Sequence, residues 1–181
     1  MTTNFKHVRF SGKLALTAAA AALAIGFSMP GQAAQATANA TATVVTPITI
    51  TAVKDLVFGS FAPGAGGTVT VSTSGVRSNT GAVLLTGALP GAARFNITGD
   101  PSTTYSITHS GSAALTSGPS SMALTKFSDL TAANAVAGVA NAGVLSAAGT
   151  QSLYVGGTLV VAAAQAPGVY TGTVVATVEY N

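Results

Sequence analysis

Apolar and polar positions alternate with a period of two along most of the chain. At the C-terminal end Tyr170, Gly172, Val174, Ala176, Val178 and Tyr180 fall on one face, and Thr171, Thr173, Val175, Thr177 and Glu179 on the other. That is the pattern of a half-buried strand with a threonine-rich outer side. Leu153, Val155, Leu159 and Val161 repeat it across Gly156-Gly157, a pair that predicts a bulge or a close backbone approach inside a long strand. Ala93, Phe95 and Ile97 predict another strand, and Tyr105 and Ile107 one more beyond the turn Gly99-Asp100-Pro101. Two strands so spaced are expected to form a hairpin.

Ile48, Ile50, Ala52, Leu56 and Phe58 share a phase, and Lys54 in that same phase requires a bulge or an edge position. Pro63-Gly64-Ala65-Gly66-Gly67 predicts a turn, followed by a short strand at Val69 and Val71, with further candidates at 82–86 and 122–127. About seven to eight short strands separated by Gly, Pro and Ser predict an all-β antiparallel sandwich. Residues 131–149 mix alanine with Gly138, Gly143 and Gly149 and read as a long irregular connection. The strands are too short and the aromatic residues too few for a membrane barrel with two aromatic girdles.

Residues 1–36 have the layout of a cleaved secretory signal. Lys6, Arg9 and Lys13 precede an apolar stretch from Leu14 to Phe27, then Pro30 and small residues, with Ala34-Gln35-Ala36 offering cleavage between Ala36 and Thr37. The apolar stretch is shorter than the roughly 20 residues that span a bilayer. The remainder holds one domain, 48–181, preceded by an extension, 37–47. In that extension Ala38, Ala40, Ala42 and Val44 alternate with polar residues up to the break at Pro47. Such a segment can add a strand to the sheet edge of a neighbouring subunit, pair within its own domain, or remain an unstructured leader remnant.

Composition narrows the functional classes. Charged residues make up 6% of the chain, so its surface polarity comes from hydroxyls, amides and backbone. The net charge of +3 resides in the leader, and Lys54, Arg77, Arg94 and Lys126 are too scattered for nucleic-acid binding. Cysteine is absent, which removes disulfides and thiolate chemistry. His109 is the one histidine after the leader, with Asp55, Asp100, Asp129 and Glu179 as the carboxylates. There is no G-x-S-x-G elbow and no metal-ligand spacing, so no catalytic, metal or cofactor residue is assigned. His109 reads as a partly exposed strand-end residue, Asp100 as a turn organiser, and Asp55 and Asp129 as solvated charges beside lysines.

Three stretches then carry a resemblance: ATATVVTPITITAVKDLVFGSFAPGAGGTVTV, GAARFNITGDPSTTYSIT and LYVGGTLVVAAAQAPGVYTGTVVATVEYN. With their F-G-x-F-A-P-G and G-x-Y-x-G motifs they resemble the domain-of-unknown-function 4402 family of small exported bacterial proteins. They are also distantly similar to spore coat protein U and the pilins of archaic chaperone–usher fimbriae. The resemblance implies an immunoglobulin-like sandwich lacking one strand, which a periplasmic chaperone and then the next subunit supplies. Gly168, Tyr170, Gly172, Val174, Val178 and Tyr180 would form the last core strand, and Ala38, Ala40, Ala42 and Val44 the donor. The missing cysteine pair and the alanine-rich donor depart from the pilin pattern.

The expectation is an exported, non-enzymatic structural subunit of the cell surface or a fimbrium that assembles by strand addition in trans. Its partners would be further copies of itself, a periplasmic chaperone and an outer-membrane usher, with no nucleic acid and no integral membrane segment after cleavage. The alternative is a self-complete surface or periplasmic binding module that takes a ligand through its loops.

Overall fold

The computed structural model describes residue 31 and residues 33–181. The leader expected at 1–36 therefore lies almost wholly outside the described residues. The chain divides into two units, Met1–Thr41 and Ala42–Asn181, and the architecture below is that of the second.

Every regular element among the described residues is a strand, so the all-β expectation holds. In chain order they are β1 (Thr49–Lys54), β2 (Phe61–Ala62), β3 (Gly67–Val71), β4 (Arg77–Thr80), β5 (Val83–Leu84) and β6 (Ala93–Thr98). There follow β7 (Thr104–Gly111), β8 (Ala114–Ser117), β9 (Ser120–Asp129), β10 (Ala142–Val144), β11 (Thr150–Val161) and β12 (Val174–Tyr180). The larger sheet runs β1-β6-β11-β3-β4, with β9 on the other edge of β11 and β8 beside β9. A second sheet is β10-β7-β12, and β2 pairs with β5. All ladders are antiparallel, and the fold is a β-sandwich.

The predicted hairpin between the strands at 93–98 and 104–111 does not form. β6 pairs with β1 and β11, while β7 pairs with β10 and β12, so the Gly99-Asp100-Pro101 turn carries the chain from one sheet to the other. The reason is burial: Ala93, Phe95 and Ile97 of β6 meet Tyr105 and Ile107 of β7 face to face in one core cluster. Side-chain alternation reads the same for hairpin partners and for strands stacked across a core.

β1 satisfies the condition set by Lys54 in both ways. It is an edge strand, and a bulge between Ala52 and Lys54 turns the lysine outward, opposite Arg94. β11 is the spine. Its first half pairs with β6 (Thr150–Val155) and its second with β3 (Gly157–Val161) on one edge, while β9 covers 154–159 on the other. Gly156 sits where β6 gives way to β3, and a Cβ there would overlap the Phe127 ring and the Val71 carbonyl oxygen. The Gly-Gly pair is thus a close approach within an unbroken strand.

The changeover divides the interior into two apolar clusters. One gathers Phe95, Ile97, Tyr105, Ile107, Leu145, Leu153 and Val155. The other gathers Phe58, Val69, Val71, Met122, Leu124, Leu159 and Val161. Residues 131–149 are irregular as expected except for β10, with left-handed backbone at Ala132, Asn134, Gly138 and Gly149.

Candidate functional site

The last strand is shorter than its alternation predicts. Val174, Val178 and Tyr180 lie in β12, but Gly168, Tyr170 and Gly172 precede it and belong to no strand. The physical cause is a corner. Val174 pairs with Gly111 and Thr171 with Thr116, so three steps on this segment oppose five on the other, and the two extra residues bulge out at 112–115. The chain therefore leaves β7 and runs along β8, at the rim of the larger sheet. Lys126 Nζ braces the corner by donating to the Ser110 and Ser112 carbonyl oxygens at 2.7 and 3.0 Å, and burial lowers the pKa of its ammonium.

Between this segment and the chain that follows β1 the sandwich is open. A cavity of about 640 Å3 lies between residues 56–63 and 165–170, with Leu115, Met122 and Leu159 as its floor. A second, about 300 Å3, continues it between residues 52–56 and 170–174. Leu56, Phe58, Leu115 and Tyr170 line both, so the two form one groove beside the last segment.

Both walls are held. Arg77 donates to the Phe58, Ser60 and Leu85 carbonyl oxygens at 2.9, 3.1 and 2.9 Å, and a Cβ on Gly59 would fall 2.5 Å from its Nη1. Those contacts explain the Phe58-Gly59 part of the motif. On the other wall the Tyr170 hydroxyl donates to the Ala166 carbonyl at 2.8 Å and accepts from Gln165 Nε2 at 2.7 Å. Gly172 lies flat on the floor, where a Cβ would come within 2.7 Å of Leu115 Cδ2.

The second wall also exposes a sheet edge. Thr171 N–H and C=O both bond Thr116, and Thr173 N–H and C=O bond Ser112 Oγ and N–H. Alternation turns Tyr170 and Gly172 the other way, toward the groove, and among the described residues their N–H and C=O make no hydrogen bond. A channel lined mainly by apolar side chains beside an unpaired backbone edge can bind an extended chain. With Lys54 and Asp55 confined to its smaller end, it holds no nucleophile and base in contact.

The extension lies exposed and without a strand. Thr37, Ala38, Ala40, Ala42 and Val44 are all solvent-accessible, and Val44 is 95% exposed. Among the described residues none of these positions belongs to a strand.

The other polar candidates are structural. His109 lies inside β7, half-buried, with Nε2 2.9 Å from the Ala140 carbonyl oxygen and 3.2 Å from Ser128 Oγ. The Ser128 hydroxyl also accepts from Ala140 N–H at 2.9 Å, so the pair ties the irregular 131–149 stretch to the second sheet. Asp100 organises its turn as expected, accepting from Thr103 Oγ1 at 3.2 Å. Asp129 is not the free surface charge its sequence position suggests. Burial pushes its pKa up, but hydrogen bonds from Thr131 N–H, Ala133 N–H, Thr73 Oγ1 and Thr131 Oγ1 outweigh that and hold it below the usual carboxylate range. Its contribution to stability is present above the unfolded pKa of about 3.9 and is lost as pH falls through the lower, folded value. Asp129→Asn is expected to narrow the difference in melting temperature between pH 6 and pH 3. An unchanged difference in thermal melts would show that the carboxylate is not linked to folding.

One family model matches the chain, the Domain of unknown function (DUF4402), over residues 48–180. The chain belongs to this family. The match begins just after Pro47, so the DUF4402 domain is the sandwich with its groove, and residues 37–47 precede it. No curated protein and no solved structure matches the chain. Among the described residues of this DUF4402 protein no helix is long and apolar enough to cross a membrane.

Proposed function

We propose that this DUF4402 protein is a non-enzymatic exported structural subunit that assembles at the cell surface, each copy laying residues 37–45 into the groove of the next. The observation that carries this reading is the groove itself, a channel lined mainly by apolar side chains and flanked by the unpaired backbone of Tyr170 and Gly172. Its complement is a segment of the same chain that alternates small apolar and polar residues and is exposed throughout. In these terms the sandwich is immunoglobulin-like with one strand absent, as the resemblance to archaic chaperone–usher pilins implies. A periplasmic chaperone would cover the groove before assembly and an outer-membrane usher would export the subunit. The alanine methyls of the donor add only about 0.8 kcal/mol each on burial, so main-chain hydrogen bonds supply most of the affinity.

The amides that should register assembly are those of Tyr170 and Gly172. Hydrogen exchange followed by mass spectrometry is expected to show them exchanging freely in a chain lacking residues 37–46. In the full chain under assembling conditions they should be protected by tenfold or more. Equal exchange in both would refute strand addition at this edge.

A further inference from the structure

The root of the extension is fastened at one point. The Tyr180 hydroxyl donates to the Thr46 carbonyl oxygen at 2.6 Å and accepts from Asp100 N–H at 2.6 Å. Gly99 makes room for it, since a Cβ there would overlap the hydroxyl. For residues 33–47 this is the one hydrogen bond among the described residues. Tyr180 is held in turn: it closes β12 opposite Tyr105 of β7, and its ring packs on the first core cluster.

Chain direction gives this contact a consequence. Thr46 lies at the start of β1, beside the end of β12. The groove lies at the far end of β1, from Ala52 onward, beside the residues that precede β12. The chain runs from Thr46 toward its own groove, so an extension that continued the line of β1 backward would lead away from it. To occupy its own groove the extension would have to reverse within 45–48. Pro47 opposes that, because a residue before proline is pushed out of the helical region toward extended backbone, and Thr46 is that residue. A reversal would also break the bond to Tyr180.

We propose that Tyr180 and Pro47 together aim the extension away from its own groove, so that the occupant of each groove is the extension of a second copy. This rests on the strand-addition reading and adds to it the device that keeps a copy from filling its own groove. Beyond the anchor, residues 37–45 can reach roughly 30 Å at about 3.3 Å per residue, enough to run past the seven positions from Gly168 to Val174 on a neighbour.

The absence of cysteine makes the test clean, since any disulfide must come from introduced residues. The chain beginning at Thr37 and carrying Ala38→Cys, near the tip of the extension, and Val169→Cys is oxidised and run boiled on non-reducing gels. Val169, 82% exposed, stands on the rim of the larger cavity. The parent is expected to give disulfides between chains, a covalent ladder. Adding Tyr180→Phe, which keeps the ring and removes both hydrogen bonds, should raise the share of disulfides within one chain several-fold. Pro47→Gly, which leaves the core untouched, should do the same and serves if Tyr180→Phe impairs folding. A ratio unchanged by both substitutions overturns the anchor while leaving assembly standing. A parent with no disulfide of either kind overturns the assembly reading, and the anchor with it.

Discussion

A chain that begins at residue 47 is expected to remain fully folded and wholly monomeric. Residues 37–46 contribute no strand and no buried side chain to the sandwich, and Ile48 is the first residue packed on the core. Their removal therefore costs the fold little beyond the Thr46–Tyr180 hydrogen bond, worth about 1 kcal/mol. Assembly, by contrast, loses its donor strand. Light scattering after size exclusion should show multimers for the chain beginning at Thr37 and one monomer peak for the shortened chain. The two should melt within a few degrees of each other. Multimers that survive the truncation would mean that some other surface joins the copies.

The largest effect on the fold is expected at Gly156. A Cβ there meets the Phe127 ring on one side and the Val71 carbonyl oxygen on another, while β9 pairs with this stretch of β11 and β6 and β3 pair on either side of it. Phe127 is 3% exposed and cannot swing into solvent without opening the core. Overpacking of a well-filled core costs about 1 to 3 kcal/mol. For Gly156→Val the upper end applies, because a backbone carbonyl cannot change rotamer. At about 4 °C per kcal/mol this lowers the melting temperature by roughly 12 °C. Gly118, with nothing within 4 Å of its Cβ position but a φ of 55°, is the comparison site for strain without crowding. A melting temperature for Gly156→Val equal to the parent's would show that β11 can shift as a unit, contrary to the packing described.

The sequence exposed some of this and concealed the rest, for physical reasons. Strands with one buried face, such as 93–98, 104–111 and 174–180, announced themselves through alternation, and the Lys54 anomaly located both an edge and a bulge. β4, with the sequence RSNT, carries no apolar face because it closes the rim of its sheet, so periodicity had nothing to report. Alternation also fixes which way side chains point without fixing which strand lies alongside, and for that reason the pairing of β6 with β7 was misread. The corner at 171–174 escaped notice because the alternation runs unbroken through it: Tyr170, Gly172 and Val174 keep phase while the partner strand bulges. The walls of the groove were legible as the F-G-x-F and G-x-Y-x-G motifs, but their facing one another across an opening was not. That relation joins residues more than a hundred positions apart. Asp129 was misjudged since its four donors include Thr73, far away in sequence.

In the proposed assembly copies are joined by inserted strands, and its heat dependence tests this most directly. Surface-extracted protein is run in detergent unboiled beside boiled, with electron microscopy of the same sample. The expected result is a ladder that collapses to a single band only on boiling, with filaments in view. A single monomer band in both lanes and an empty field would contradict it and mark the sandwich as a self-complete module whose groove serves another ligand.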